Sequence, residues 1–393
     1  MKMAKAKKKR ESVQHVLDHA PKTKSFVTKL NGSSKFEVIT LENDEAKEEW
    51  VDSLEEGDTL HTIFGVSDLV SLAVFNRGVE VRRIPFYHIT GRGKSRQFSI
   101  RDKDRSILPD LVKLVQEQPE LFYQFRPLDQ QVARVRALTR AFYMVQEKMR
   151  KPTQLRFQSA YREVYLTSEV RDELKEEQFI KQELAKSPVF SAFTEEEASW
   201  LRQIKTALRG IAIWDDVLKG TAARGIGPAL GGVLIGEIGD INRFPHRDAL
   251  VHYCGCHVTE APEGLREQGV EGEMARRRKG EMALWNPRIR QALWKWSSTQ
   301  VPKMSTQEKF ACDPWVLMYH ARRQLEIEKR EAKGIPEEGV LMTLPGKNEG
   351  GKQKSRRYFS KGHLHNRVGA YLRTRFVRWL YKEWRQLAKA GRM

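Results

Sequence analysis

The order of apolar patterns along the chain constrains its fold more than any other feature. Five short strand-like runs and two helical stretches alternate as far as residue 84, and Asn31-Gly32 is a hairpin turn signal between the second and third strands. The strands are predicted at residues 13–18, 24–30, 35–40, 58–64 and 79–84, and the helices at residues 44–54 and 68–76. A hairpin followed by alternating helices and strands predicts a mixed α/β sheet.

The middle of the chain is predicted to be helical. Apolar residues recur there at steps of three and four, as in the seam of a coiled coil. The seam consists of Val132, Val135, Leu138, Phe142, Val145 and Met149. Further helical regions are predicted at residues 159–184 and 195–218. Long helices that bury one stripe pair within their own chain or with a second copy, so the sequence allows both an intrachain core and a dimerising arm.

The charge of the chain indicates a polyanionic partner. Its formal net charge is +19 and its pI is near 9.8. A surface this positive repels itself unless a polyanion binds it, and nucleic acid is the commonest one. Membrane binding is the weaker alternative, since no apolar run reaches the ~18–20 residues that span a bilayer. Residues 1–11 are expected to be a disordered basic arm, neither a signal peptide nor an anchor.

Basic and aromatic residues interleave near the end of the sequence. Between Lys352 and Arg392, Glu383 is the only acid. The spacing predicts a helix with a packed stripe of Leu372, Phe376, Trp379 and Leu380. A cationic stripe is expected to contact phosphates, with a solvated face as the alternative. Its members are Arg367, Arg373, Arg375, Arg378 and Lys382.

A glycine-containing turn, Arg224-Gly225-Ile226-Gly227-Pro228, opens a predicted helix at residues 229–238. Two glycines allow a tight turn with exposed amides, and a proline suits the first helical turn. The N-terminus of a helix behind such a turn binds phosphate, so the pattern predicts a helix–hairpin–helix clamp on the DNA backbone. The predicted helix also contains glycines that let a neighbouring helix approach closely: Gly231, Gly232 and Gly236.

Several motifs together carry a family resemblance. They are the run from Gly225 through Glu237 and Pro245 to Gly255, the run Arg276-Arg277-Arg278-Lys279-Gly280 with residues 285–294, and residues 361–379. This pattern resembles the insertion-sequence transposases of the DEDD type, a family that includes the pilin-gene inversion recombinases. The resemblance implies an RNase H-like (RuvC-like) α/β domain at residues 12–125, after the basic arm. It also implies a helical coiled-coil arm at 126–210 and a mostly α C-terminal domain with the helix–hairpin–helix motif at 211–393.

The resemblance implies a Mg²⁺ site made of four acids in the N-terminal domain. Asp18, at the end of the first strand, matches the first aspartate. Asp102 and Asp104 match the last pair, although they are two residues apart instead of three, and N-capping of a helix is their alternative role. No acid stands at the end of the 58–64 strand, where the family has one; Asp68, further on, is a substitute at a different position.

The family also uses a serine nucleophile after a motif that Tyr253-Cys254-Gly255 resembles. Thr259 has the only hydroxyl side chain between His257 and Trp296, so it is the candidate nucleophile, with a turn residue as the alternative. The residues expected to contact DNA are Arg224, Gly225, Gly227, Arg276, Arg277, Arg278, Lys279, Lys361, Arg367, Arg373, Arg375 and Arg378.

The resemblance implies a transposase or recombinase that binds double-stranded DNA, with a structured RNA as guide, and the positive charge agrees with such a ligand. It is expected to be a dimer or tetramer in the prokaryotic cytoplasm, associated with the nucleoid. The absent acid and serine favour an alternative, a catalytically degenerate DNA- or RNA-binding protein derived from a transposase. A third class, a structural RNA-binding or ribosome-associated factor, explains the charge but not the run from Gly225 to Gly255.

The three cysteines, Cys254, Cys256 and Cys312, are too few for a disulfide framework and suit a reducing compartment. His252 and His257 flank two of them, but the C-x-C spacing is not that of a structural zinc site, so half-buried packing residues are expected. Residues 326–338 and 346–351 are expected to form a charged helix and a flexible linker.

Overall fold

The computed structural model describes residues 12–18, 24–30, 37–64, 68–84, 107–167, 188–260, 263–267, 272–274, 283, 285–347 and 353–392. These residues divide into two compact units. The first extends to Gln130, and the second comprises Gln131–Ala275 and Trp285–Met393, so residues 131–210 of the expected arm cluster with the C-terminal residues. The fold is mixed α/β and mostly helical, with one six-stranded sheet.

The first unit is built on a sheet with the strand order β3-β2-β1-β4-β5-β6. Its strands are β1 Gln14–Asp18, β2 Ser25–Leu30, β3 Val38–Leu41, β4 Thr59–Ile63, β5 Glu80–Ile84 and β6 Tyr123–Gln124. β1, β2 and β3 are antiparallel neighbours; β1, β4 and β5 run parallel; and β6 is antiparallel to β5. The mixed sheet and the five strands predicted from sequence are confirmed, with ends shifted by a few residues.

Helices cover both faces of this sheet. They are α1 Asp44–Asp52, α2 Asp68–Asn76 and α3 Leu108–Glu117. Successive strand residues face opposite sides, so Val16 packs in the cluster that contains Leu111 of α3, whereas Leu17 packs in the cluster that contains Trp50 of α1. Burial of both faces explains why β4 reads as a continuous buried run rather than an alternating one.

The second unit is almost entirely helical. Its longer helices are α4 Pro127–Thr167, which begins in the first unit, α5 Pro188–Leu208, α6 Pro228–Ile238, α11 Pro314–Ala332 and α12 Lys361–Lys389. Its shorter helices are α7 Arg247–Tyr253, α8 Glu263–Arg266, α9 Pro287–Lys295 and α10 Val301–Ser305. Two π-helical segments, Ile213–Leu218 and Trp296–Gln300, precede the turn at 224–228 and follow α9.

The apolar seam of α4 is buried within the chain. Val132, Val135 and Phe142 are each less than 5% exposed. Two glycines of α6 meet this side of α4: a Cβ on Gly232 would lie 2.5 Å from Thr139 Cγ2, and one on Gly236 would lie 2.9 Å from Arg136 Cα. The close approach predicted for these glycines is confirmed, and intrachain packing accounts for this part of the seam.

Two small antiparallel hairpins complete the second unit. One pairs β7 Val258–Glu260 with β8 Gly272–Met274, and the other pairs β9 Val340–Lys347 with β10 Gln353–Tyr358. Gly346 and Lys347 of the expected flexible linker belong to β9, and its other residues, 348–351, lie outside the described residues. The expected charged helix is confirmed only as far as Ala332, where α11 ends.

None of the helices in the described residues combines the length and the apolar character needed to cross a bilayer.

Candidate nucleic-acid interface

The turn at residues 224–228 is fixed from inside the second unit. Gly225 has φ +83°, a conformation that favours glycine. A Cβ at this position would lie 3.2 Å from Trp296 Cδ1, and the Trp296 indole N–H donates a 2.9 Å hydrogen bond to the carbonyl of Arg224. The turn therefore has one defined geometry, set by a buried tryptophan.

The start of α6 follows directly after this turn. Gly227 is the N-cap residue, it is exposed, and no side chain caps the helix. The amides of Ala229 and Leu230, in the first helical turn behind Pro228, lack an intrahelical acceptor. A helix start of this kind is an anion site for a phosphate group. The helix start at Gly227 is therefore exposed and has no side-chain cap.

Arg224 contributes less charge to this surface than the sequence suggests. Its guanidinium Nε lies 3.6 Å from Asp313 Oδ2 and its Cζ lies 5.4 Å from the centre of the Phe310 ring. Asp313 is buried and also caps α11. Arg224 is therefore partly neutralised by an acid of its own chain.

Glu237, on the last turn of α6, is the centre of a polar cluster that the sequence reading missed. It is 4% exposed. Its carboxylate accepts two hydrogen bonds from Arg140 of α4, at 2.9 and 3.1 Å, and one of 2.9 Å from the Asn286 side-chain amide. The Tyr253 hydroxyl donates to the Glu237 carbonyl at 2.8 Å. One acid thus ties α6 to the arm, to α7 and to the start of α9.

The charge of Glu237 is stabilised where it lies. Burial alone would raise the pKa of its carboxyl. The hydrogen bonds and charge of Arg140, with Arg136 and Asn286, outweigh burial and lower the pKa below its ordinary value of 4.5. The signal available in the sequence was a lone acid inside an otherwise apolar helix, because such an acid needs a buried partner.

The cations expected along the terminal helix, α12, differ in their availability. Arg367 pairs with buried Glu326 at 2.7 Å, Arg378 with Asp248 at 3.0 Å, and Lys361 with Glu337 at 2.7 Å. Arg375 is exposed and stacks over the Tyr371 ring at 5.2 Å. Leu372, Phe376 and Leu380 are fully buried, which confirms the main part of the packed stripe, whereas Trp379 is only half-buried.

Arg373 does not lie on the cationic face. It is 5% exposed and donates to the hydroxyls of Ser297 and Ser298, at 2.9 and 3.5 Å. Burial is the main cause that lowers the pKa of its guanidinium to about 10. The expected phosphate contact of Arg373 is therefore corrected: side chains of α12 and its neighbours enclose it.

The cysteine and histidine cluster is packed more deeply than expected. Cys254 and Cys256 are fully buried rather than half-buried, and burial raises the pKa of the Cys256 thiol to about 12. His252 and His257 stack with ring centres 4.0 Å apart. Burial and the neighbouring His252 lower the pKa of His257 to about 4. The two thiols are protonated and the His257 ring is neutral near pH 7.

Asp18 lies where strand β1 ends, in the first unit. One carboxylate oxygen accepts a 2.8 Å hydrogen bond from the Ile107 amide, directly before α3. Asp102 and Asp104 lie outside the described residues, and neither is the N-cap of α3, so the alternative that they cap this helix is wrong. The N-cap of α3 is Ile107, and no side chain caps it.

The resemblance implies an acid at the end of the 58–64 strand, and β4 shows what lies there instead. β1 and β4 are parallel and their pairing ends with Val16 opposite His61, so the same register continued by two residues brings Ile63 to the level of Asp18. Ile63 is buried, and the Thr62 hydroxyl donates to the Leu17 carbonyl at 3.0 Å. Asp68 is the first residue of α2, and its side chain lies outside what is described.

Thr259 lies in strand β7 rather than in a turn, opposite Glu273 of β8, and is exposed. Arg276, Arg277, Arg278 and Lys279 lie outside the described residues. In the part of the chain that the structure describes, no three His, Cys, Asp or Glu side chains are grouped so as to hold a metal ion.

Comparison with known proteins gives one result. Residues 221–311 match the model of a transposase family, described as the IS116/IS110/IS902 family. The match begins just before the turn, includes α6 with Glu237, and ends after α10. It supports a transposase family for this chain. A search of curated proteins found no match.

Proposed function

We propose that this protein is a transposase that holds duplex DNA by its sugar–phosphate backbone and exchanges DNA strands. The observation that carries the proposal is the position of the family match, which includes the exposed, uncapped helix start at Gly227. A helix start binds phosphate without reading the base sequence, which is what a backbone clamp must do. The net charge of +19 also supports a polyanionic ligand.

The DNA contacts in this proposal are of two kinds. Amides at the Gly225–Gly227 turn position the backbone, with Arg224 at its edge. Cations of the chain neutralise phosphates along the rest of the path, and each one displaces condensed counterions. These cations are Arg276, Arg277, Arg278, Lys279, Lys361, Arg367, Arg375 and Arg378.

For the chemistry, we assign an RNase H-like role to the sheet of the first unit. The antiparallel β1–β3 followed by parallel β4 and β5 supports this assignment. Asp18 is proposed to hold Mg²⁺ with Asp102 and Asp104, and Asp68 is a further candidate. Bound there, Mg²⁺ would stabilise charge on the oxygens of the scissile phosphate. The exposed hydroxyl of Thr259 is the proposed nucleophile.

We further propose that the protein binds a structured guide RNA, forms a dimer or tetramer and acts in the cytoplasm. Each of these follows from the family resemblance of the sequence.

A second candidate function is a binding protein that keeps the scaffold without the chemistry. Ile63 at the level of Asp18 favours it, because a buried isoleucine stands where the resemblance implies an acid. Thr259 in the place of a serine favours it as well.

DNA binding and strand transfer separate the two candidates. Duplex affinity is measured as a function of salt, and log Kd is expected to change by about 0.9 per phosphate for each tenfold change in salt. Strand transfer is measured with Mg²⁺ for the wild type, Asp18→Asn and Thr259→Val. Asp18→Asn retains an acceptor for the Ile107 amide, and Thr259→Val retains the side-chain shape.

A transposase requires activity in the wild type and its loss in both variants, with duplex affinity unchanged. Duplex binding by an inactive wild type would leave the second candidate. Duplex binding with no salt dependence would contradict both candidate functions.

A further inference from the structure

A cationic groove lies on the face of α12 opposite its packed stripe, beside the start of α7. Its volume is about 480 Å³. The groove is lined by Arg247, Arg378, Tyr381, Lys382, Arg385, Gln386 and Lys389, none of which is acidic. The α12 members recur at alternating steps of three and one from Arg378 to Lys389, so they share one helix face about 16 Å long.

The positive charge of this groove is mostly unbalanced. Arg378 pairs with Asp248, but Arg385 donates at 2.5 Å to the neutral side-chain oxygen of Asn242. Arg247, Lys382 and Lys389 are exposed, and none makes an ion pair or side-chain hydrogen bond with the described residues. Like charges held this close repel one another, and a multivalent anion in the groove relieves that repulsion.

Tyr381 adds an aromatic surface at a fixed position. Its hydroxyl donates to the Phe244 carbonyl at 3.2 Å, which anchors the ring at the groove wall. The ring is half-buried, so part of it faces the groove. An aromatic side chain between cations is the combination on which unpaired bases stack while the backbone is held electrostatically.

We propose that this groove binds single-stranded nucleic acid, with successive phosphates on its cations and one unpaired base against Tyr381. The concave shape favours a single strand over a duplex, since pockets of about 300–1,000 Å³ enclose ligands of nucleotide size. This inference rests on the proposed function only in taking nucleic acid as the ligand. It assigns a second site, separate from the helix start at Gly227, which contacts a backbone without stacking.

The charge of the site is tested with Arg247→Ala/Lys389→Ala in the full-length chain. The matched control is Arg323→Ala/Lys329→Ala on α11, which removes the same charge from two exposed residues with no described partner. The probes are fluorescent oligothymidylate and oligouridylate of about 12 nucleotides, and a duplex of about 20 base pairs. Anisotropy is measured between about 50 and 200 mM salt.

The groove variant is expected to weaken oligonucleotide binding at least about tenfold. It should reduce the slope of log Kd against log salt concentration, the salt slope, by about 1.4, since each lost single-strand phosphate contact contributes about 0.7. Duplex affinity should change no more than it does in the control. The DNA and RNA oligonucleotides share the backbone chemistry, and their relative affinities identify which is preferred.

Tyr381 supplies a second and independent test. Tyr381→Phe retains the ring and is expected to bind oligothymidylate nearly as the wild type does. Tyr381→Leu removes the stacking surface and is expected to weaken binding about five- to a hundredfold. Circular dichroism of both variants checks that α12 remains folded.

Two results would overturn the site: equal losses in the groove variant and the α11 control, or unchanged oligonucleotide binding by Tyr381→Leu. Normal duplex binding together with either result would remove the groove and leave the proposed function intact. If the protein binds oligonucleotides through the groove but fails to bind duplex, the groove site is supported and the proposed function is contradicted.

Discussion

Replacing Glu237 by glutamine removes one charge from the centre of the second unit while keeping the shape of the side chain. Glu237 is 5% exposed in its side chain and accepts two charged hydrogen bonds from Arg140. Glutamine retains one oxygen acceptor, but its amide nitrogen repels the donors of Arg140 and Asn286. The variant therefore leaves a guanidinium next to a neutral group.

The magnitude follows from the geometry of that pair. Breaking a buried ion pair by removing one partner costs about 3–5 kcal/mol. Arg140 keeps 36% of its side chain exposed, so water solvates the remaining cation and the lower end applies, about 3 kcal/mol. For a unit of this size each kcal/mol lowers Tm by about 2–4 °C, so Glu237→Gln should lower Tm by about 6–12 °C.

The assay is thermal and urea unfolding of four proteins: the wild type, Glu237→Gln, Arg140→Met and the double variant. Direct interaction predicts a coupling free energy of about 1–3 kcal/mol between the two positions. Glu331→Gln is the control, because Glu331 is 63% exposed and pairs with Arg330 at 3.8 Å. A surface pair of this kind should cost less than about 1 kcal/mol.

The pH dependence gives a second readout for the same residue. The pKa of Glu237 is lower folded than unfolded, so its contribution to stability is present above about 4.5 and is lost as pH falls through the folded pKa. Glu237→Gln should reduce the acid destabilisation of the chain below pH 4.5. A Tm loss no larger than that of Glu331→Gln, or a coupling free energy near zero, would refute the reasoning.

Three further predictions concern single buried positions. Gly236→Ala should cost about 1–3 kcal/mol, because its Cβ would lie 2.9 Å from Arg136 Cα, whereas Gly362→Ala, with nothing within 4 Å, should be neutral in urea unfolding. Burial, with Arg82, lowers the pKa of His61 to about 4, so the unfolded state binds a proton first as pH falls from about 6.5. Between pH 7 and pH 4 the wild type should therefore lose about 3 kcal/mol more of its free energy of unfolding than His61→Phe does. The same loss in both proteins would contradict this. Arg373→Met should leave the salt slope of duplex binding unchanged, whereas exposed Arg375→Met should lower it by about 0.9.

Local patterns were sufficient to predict most elements of the first unit. Alternating and continuous apolar runs located its strands, and the helix at Asp68–Asn76 has the predicted bounds. Strand pairing required the three-dimensional register, which is what brings Ile63 to the level of Asp18. The hairpin of β9 and β10 was missed because glycines at 346 and 350–351 resemble a linker when long-range pairing is unknown.

The prediction of which cations contact phosphate was wrong where the answer depended on burial. A list of arginines at mixed spacing does not say which of them face the core, so Arg373 was placed on the phosphate stripe although it is enclosed. The exposed cations beyond Arg378 form a groove only because α7 brings Arg247 against the same face of α12. That juxtaposition joins residues far apart in sequence, and no local pattern encodes it.

The distribution of paired and unpaired charge connects the scaffold to its ligand. The buried acids Glu237 and Asp313 are each matched by one arginine and add nothing to the net charge, and Glu326, shared by Arg322 and Arg367, leaves a single positive charge in its cluster. The excess of positive charge must therefore be carried by other cations, and Lys382 and Lys389 are examples on the surface of α12. Buried acids thus position helices in the core of the second unit. Cations without an acidic partner lie on its surface, where a bound polyanion would lower their mutual repulsion. The segment that matches the transposase family contains α6, which begins at an exposed N-terminus without a side-chain cap and ends at the buried carboxylate of Glu237.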